Sequence, residues 1–138
     1  MPDASLDALL EQVRQIEGLA AGCLVDAATG MVLGSVQDEQ ELNVSVAAAG
    51  AADLAHVASL MSGELAANGG LEDVIITLKG HYYLIRQFSP APRLDFLLLV
   101  VLNRAGTNLA MALRQLRDVD VRFADEPDGA LEPRPSSV

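Results

Sequence analysis

Apolar residues recur at three- and four-residue steps at Leu6, Leu9, Leu10, Val13 and Ile16, which predicts an amphipathic helix over residues 5–17. Asp3 or Ser5 can cap its start, and Gly18 ends it. Two short apolar runs, residues 22–26 and 31–36, flank Ala27-Ala28-Thr29-Gly30 and read as a β-hairpin. A polar, acidic link over 37–41 follows. Residues 42–67 hold no proline and many alanines, a long helix stopped by Asn68-Gly69-Gly70. A second hairpin joins 74–78 to 82–86 through Lys79-Gly80. Ser89-Pro90-Ala91-Pro92-Arg93 reads as a loop that no strand crosses. Residues 94–102 form a fifth strand, and its run Phe96-Leu97-Leu98-Leu99-Val100-Val101-Leu102 is apolar at every position. Such a strand is central and covered on both faces. After the turn 103–107, Leu109, Ala112, Leu113 and Leu116 mark a third helix ending near Asp118.

The order is therefore α-β-β-α-β-β-β-α. Short connections force mainly antiparallel pairing, and a sheet buried on both faces needs helices on both faces. The expected fold is a three-layer α+β domain with a five-stranded sheet over residues 1–119. Residues 120–138 carry three prolines, five acids and two arginines, and are expected to be a disordered tail.

Composition narrows the functions. The 138 residues are 51% hydrophobic and 20% charged, enough for a core without disulfides or metal. Acids outnumber bases 19 to 9, for a net charge of −10. That field repels phosphate backbones and anionic lipid, so neither nucleic acid nor membrane insertion is expected. The longest uninterrupted apolar run, 96–102, is too short to span a bilayer. Asp3 and Asp7 occupy the place of a signal peptide's basic region. Cys23 is the single cysteine, which excludes an internal disulfide and a multi-cysteine zinc site, and a cytoplasmic setting is expected. One lysine against eight arginines, with abundant alanine, suits a GC-rich bacterial genome.

Candidate chemistry is sparse, and no catalytic, cofactor-binding or metal-binding residue is assigned. Cys23 lies in an apolar strand without an adjacent base, so it reads as a small hydrophobe. Ser35, Ser45, Ser59 and Ser62 have no nucleophile elbow around them. No glycine-rich loop carries Lys-Ser or Lys-Thr, so the chain is not itself a P-loop GTPase. His56 and His81 have no ligand-spaced neighbours, so His56 reads as a dimer-face or surface residue and His81 as an exposed hairpin residue, and Asp26 reads as a turn former. The alanine-rich helix carries more information. Its segment Ala47-Ala48-Ala49-Gly50-Ala51-Ala52 is small on every side, and a helix apolar on two sides is covered on two sides. The strand 74–78 has high β-propensity and only Lys79 beside it to blunt an open edge.

Four pieces in order resemble the Roadblock (dynein light chain) family, of profilin-like architecture. They are the opening helix ending Ile16-Glu17-Gly18-Leu19, the hairpin Gly22-Cys23-Leu24-Val25-Asp26 to Gly30-Met31-Val32-Leu33, the alanine-rich helix, and Leu71-Glu72-Asp73-Val74-Ile75-Ile76 with Tyr83-Leu84-Ile85-Arg86 and the closing strand. The resemblance spans about residues 6–118. It implies a homodimer, or a heterodimer with a paralogue, in which the long helices pack together and the third strands pair edge to edge. On this chain that interface falls on Ala47, Ala48, Ala51, Ala52, Leu54, Ala55, Ala58, Val74, Ile76 and Leu78. It also implies a Ras-like small GTPase as partner, for a protein that regulates or tethers and is not an enzyme. Arg86, Arg93 and Arg104 are weighed as arginine fingers and read as surface charges. The alternatives are a pure scaffold, or a small-ligand sensor with a profilin-like pocket.

Overall fold

The computed structural model describes residues 4–65, 71–91 and 94–124. Its elements run α1 (Ala4–Arg14), β1 (Leu19–Asp26), β2 (Val32–Gln37), α2 (Val44–Leu65), β3 (Asp73–Thr77), β4 (His81–Ala91), β5 (Leu94–Asn103) and α3 (Leu109–Ala124). The five strands make one antiparallel sheet in the order β2-β1-β5-β4-β3. The three-layer α+β expectation holds, and β5 sits in the middle.

The unbroken apolar run of β5 divides between two cores. Phe96, Leu98, Val100 and Leu102 face α1 and α3, where they meet Val13, Ile16, Ala112 and Leu116. Leu97, Leu99 and Val101 face the opposite layer, with Cys23, Val25, Ile85 and the α2 residues Ala48, Ala51 and Ala55. Each of these side chains is buried, and a buried Leu or Val contributes about 1.5–3 kcal/mol over leaving it in water.

Several boundaries differ from expectation for physical reasons. β1 starts at Leu19, because Leu19, Ala21 and Gly22 pair with β5, with Ala20 at the register shift between Leu19 and Ala21, even though alanine and glycine carry little strand propensity. β4 runs on to Ala91 through the segment expected as a loop. The register shifts between Phe88 and Ala91, and such a bulge admits a proline because no ladder N–H is required there. α3 continues past Asp118 to Ala124, and the tail expected from residue 120 lies, from 125 onward, outside the described residues.

Two local devices lock the ends of the sheet. Gly18 adopts φ +82°, and a side chain there would collide with Thr107. Its carbonyl accepts the Asn103 N–H at 2.8 Å, which ties α1 to the end of β5. The link after β2 supplies the second device. There the Asp38 and Glu39 N–H groups both donate to the Ala20 carbonyl, and Glu39 Oε1 meets His81 Nε2 at 3.2 Å. The sequence points to an exposed His81 without a carboxylate neighbour. The structure corrects this: His81 is half-buried, with a partner 42 positions away.

The His81 hydrogen bond, with a second from Asn103, holds the Glu39 carboxyl below its ordinary value. A depressed carboxylate adds stability above its unfolded pKa, and that stability is lost as pH falls through the folded value. Glu39→Gln is therefore expected to be less stable than the unmutated protein at pH 7 in urea titrations. The gap narrows as pH falls below the ordinary glutamate range and closes once pH has passed the depressed folded value, where both chains carry a neutral group.

Candidate functional site

α2 is built the opposite way round from an ordinary surface helix. Its inward face is small: Ala48, Ala51 and Ala55 are at most 4% exposed and lie on the sheet. Its large side chains point out. Val46, Leu54, Val57, Leu60 and Met61 are between 38% and 66% exposed and fall on one stripe at helical spacing. Asp53 is the one charged residue between Val46 and Met61.

This placement corrects part of the expected interface. Ala48, Ala51 and Ala55 belong to the core of their own chain and cannot meet a partner. Ala47, Ala52 and Ala58 are half-covered, the first two against the same core, and Leu54 is exposed. Val74 and Ile76 are half-buried on the α2 side of the sheet, and Leu78 is exposed. The exposed residues Val46, Val57, Leu60 and Met61 are absent from the expected set. Their three- and four-residue steps are visible in the sequence, but alanine gives no indication of which apolar face turns inward.

β3 is a true edge, and its hydrogen-bond phase can be worked out. The Leu78 N–H donates to His81 at 2.8 Å and the Gln87 N–H to Glu72 at 3.3 Å. With antiparallel alternation, these bonds place the backbone groups of Val74 and Ile76 toward β4. The N–H and C=O groups of Asp73, Ile75 and Thr77 point out of the sheet, with no acceptor or donor among the described residues. Ile75 is also exposed through its side chain, on the α3 side.

The remaining candidates are tied down. Arg86 Nη1 donates to Asp73 Oδ2 at 3.1 Å, and Arg117 approaches the same oxygen at 3.6 Å. Arg104 lies 5.7 Å from the Tyr82 ring centre and donates to the Leu78 carbonyl. Arg93 lies outside the described residues. Asp26 shapes its hairpin by accepting from the Thr29 hydroxyl at 2.8 Å and from the Ala28 N–H. Cys23 is buried, and burial pushes its thiol up to about 12, so it stays protonated. Among the described residues no three His, Cys, Asp or Glu side chains group as a metal site. The cavity between α2, Tyr83 and the sheet measures about 20 Å³, room for one water and far below a small-ligand pocket.

Among the described residues one helix, over Val44–Gly63, is long and apolar enough to cross a membrane by length and composition. The sequence reading misses it because alanine, glycine and serine interrupt its larger side chains. Ala48, Ala51 and Ala55 commit one of its faces to the sheet.

Ile76→Pro should cost about 3 kcal/mol or more in urea unfolding, because it removes an N–H that β4 uses. Ile75→Pro removes an N–H that the chain's own sheet leaves open, and should cost under about 1 kcal/mol in the isolated chain.

No family model matches the chain, and no curated protein does. Solved structures do match. An MglB in a tetrameric arrangement superposes with a TM-score of 0.73 at 14% identity, covering 90% of each chain. The gliding protein MglB of Thermus thermophilus gives 0.73 at 15% identity, covering 92% of this chain and 96% of that one. A Roadblock/LC7 domain from Streptomyces avermitilis gives 0.63 at 15% identity, over 83% and 92%. With the likeness extending over most of each chain, this chain has a Roadblock-type fold.

Proposed function

We propose that two copies of this chain join through the outer face of α2 and the free edge of β3, and that the joined object is a cytoplasmic regulator or adaptor of a Ras-like small GTPase. One observation carries the reading: a long stripe of large apolar side chains stands uncovered on the same chain as an edge strand with open backbone groups. Monomeric soluble proteins rarely leave such a patch in water. A twofold partner satisfies both features with one self-complementary surface. The GTPase assignment draws on the Roadblock resemblance and on the gliding-protein MglB among the structures of like fold.

The chain's own groups do no chemistry in this reading. Its buried thiol is protonated, and Arg86 and Arg104 are held by neighbours. Any change in nucleotide turnover would come from positioning the GTPase's own residues. The cavity under α2 has room for no more than a water-sized molecule, so the sensor alternative draws no support from it.

The experiment has two stages. Light scattering of the purified chain should give a dimer mass. Val57→Lys with Met61→Lys, or Ile75→Pro alone, should give a monomer that keeps its circular dichroism spectrum. Bacterial Ras-like GTPases loaded with GTP are then titrated with the dimer and with the monomeric variants. Binding by the dimer alone, with altered GTP turnover, supports a regulator, and binding at an unchanged rate leaves an adaptor. Dimer without binding to any GTPase removes the partner assignment, and an unmutated monomer removes the assembly.

A further inference from the structure

The sheet has a second open edge, with a character unlike that of β3. We propose that the outer edge of β2 captures an extended, basic segment of another protein, which joins the sheet as an added strand.

Three observations carry this. The Asp38 N–H donates to the Ala20 carbonyl at 2.8 Å, which fixes the phase of the β1–β2 ladder. Gly34 and Val36 thus face β1, and Ser35 and Gln37 face outward. The Gln37 carbonyl accepts from Gln40 Nε2 at 3.0 Å, and the Ser35 N–H and C=O and the Gln37 N–H have no partner among the described residues, so they are open to a partner backbone. Beside this row the ladder bulges at Leu33, which is 46% exposed, and Met31 next to it is 66% exposed. A cleft between β2 and the first turn of α2, lined by Val32, Ser35, Gln37, Glu41, Val44 and Ser45, gives an added strand's side chains somewhere to lie. Backbone bonds supply affinity in this mode, and pockets for alternate side chains supply selectivity.

Charge decides the occupant. Residues 4–43 carry seven acids and a single base, Arg14, which sits at the far end of α1 beside Glu11 at 3.9 Å. Residues 71–124 carry seven bases and five acids. Residues 4–43, which include β2, are therefore net −6, and residues 71–124, which include β3, are net +2. Asp26 is engaged by its own turn and Glu39 by His81. Glu41 lines the cleft, Asp38 follows β2 directly, and α1, whose Leu6 and Leu10 lie against Gly34, carries the exposed Asp7 and Glu11 on adjacent positions. A second copy would bring the same acids against these. A segment alternating apolar and basic residues matches both the apolar pair and the field.

The test uses the full chain and a fluorescein-labelled ten-residue peptide alternating valine with lysine or arginine. Saturable binding that weakens with added salt is expected, with slowed hydrogen exchange at the Ser35 and Gln37 amides. Asp38→Lys with Glu41→Lys should weaken binding by about tenfold or more. Ser35→Pro removes an N–H that the chain's own sheet does not use and should abolish binding with the circular dichroism unchanged. Leu33→Ser, at an exposed bulge, gives the same reading if the proline variant does not fold. Equal binding of a glutamate-for-lysine peptide would overturn the proposal. So would protection that maps to Ile75 and Thr77, or Ser35 and Gln37 amides already protected in the peptide-free chain.

Discussion

Three alanines set the character of this molecule. Ala48, Ala51 and Ala55 let α2 lie close on β1 and β5, and they take up so little of the helix that its large side chains are turned away from the sheet. An ordinary amphipathic helix buries its large residues and shows its small or charged ones. Here that order is inverted from Val46 to Met61. The five large side chains left outside are between 38% and 66% exposed, so each forgoes a fraction of the roughly 1.5–3 kcal/mol that full burial contributes. Reversing the inversion would need a wider gap between helix and sheet, which the close packing against Leu97, Leu99 and Val101 does not allow.

The sheet repeats this division of labour. Its centre is closed: β5 is buried on both faces and paired on both sides. Its margins are open, and they differ. β3 offers Asp73, Ile75 and Thr77 backbone groups, within residues 71–124, where bases outnumber acids seven to five. β2 offers Ser35 and Gln37 inside a strongly acidic surround. In the proposed assembly one margin is suited to a second copy and the other is electrostatically closed to it.

Much of this architecture is legible in the chain. The three helices, both hairpins and the two-sided burial of β5 follow from periodicity and from the run 96–102. What stays hidden depends on alternatives that are equal at the level of single residues. Alanine is compatible with either face of α2, so the expected interface includes three residues that the core claims. Pro90 reads as a strand breaker, yet the register shift near it removes the demand for an N–H at that point. The Glu39–His81 contact joins positions too distant in sequence for spacing to reveal. The free edge groups of β2 and β3 depend on ladder phase, which only paired strands define.

The central claim is that the outward face of α2 and the edge of β3 are covered together by a second copy. Hydrogen exchange at the Asp73, Ile75 and Thr77 amides, followed across a dilution series, tests it most directly. These N–H groups have no acceptor among the described residues of their own chain, so slow exchange at high concentration must come from a partner strand. The account predicts protection at micromolar and higher concentration that falls away on dilution, in step with exposure of Val57 and Met61. Fast exchange at all three amides at every concentration would contradict it.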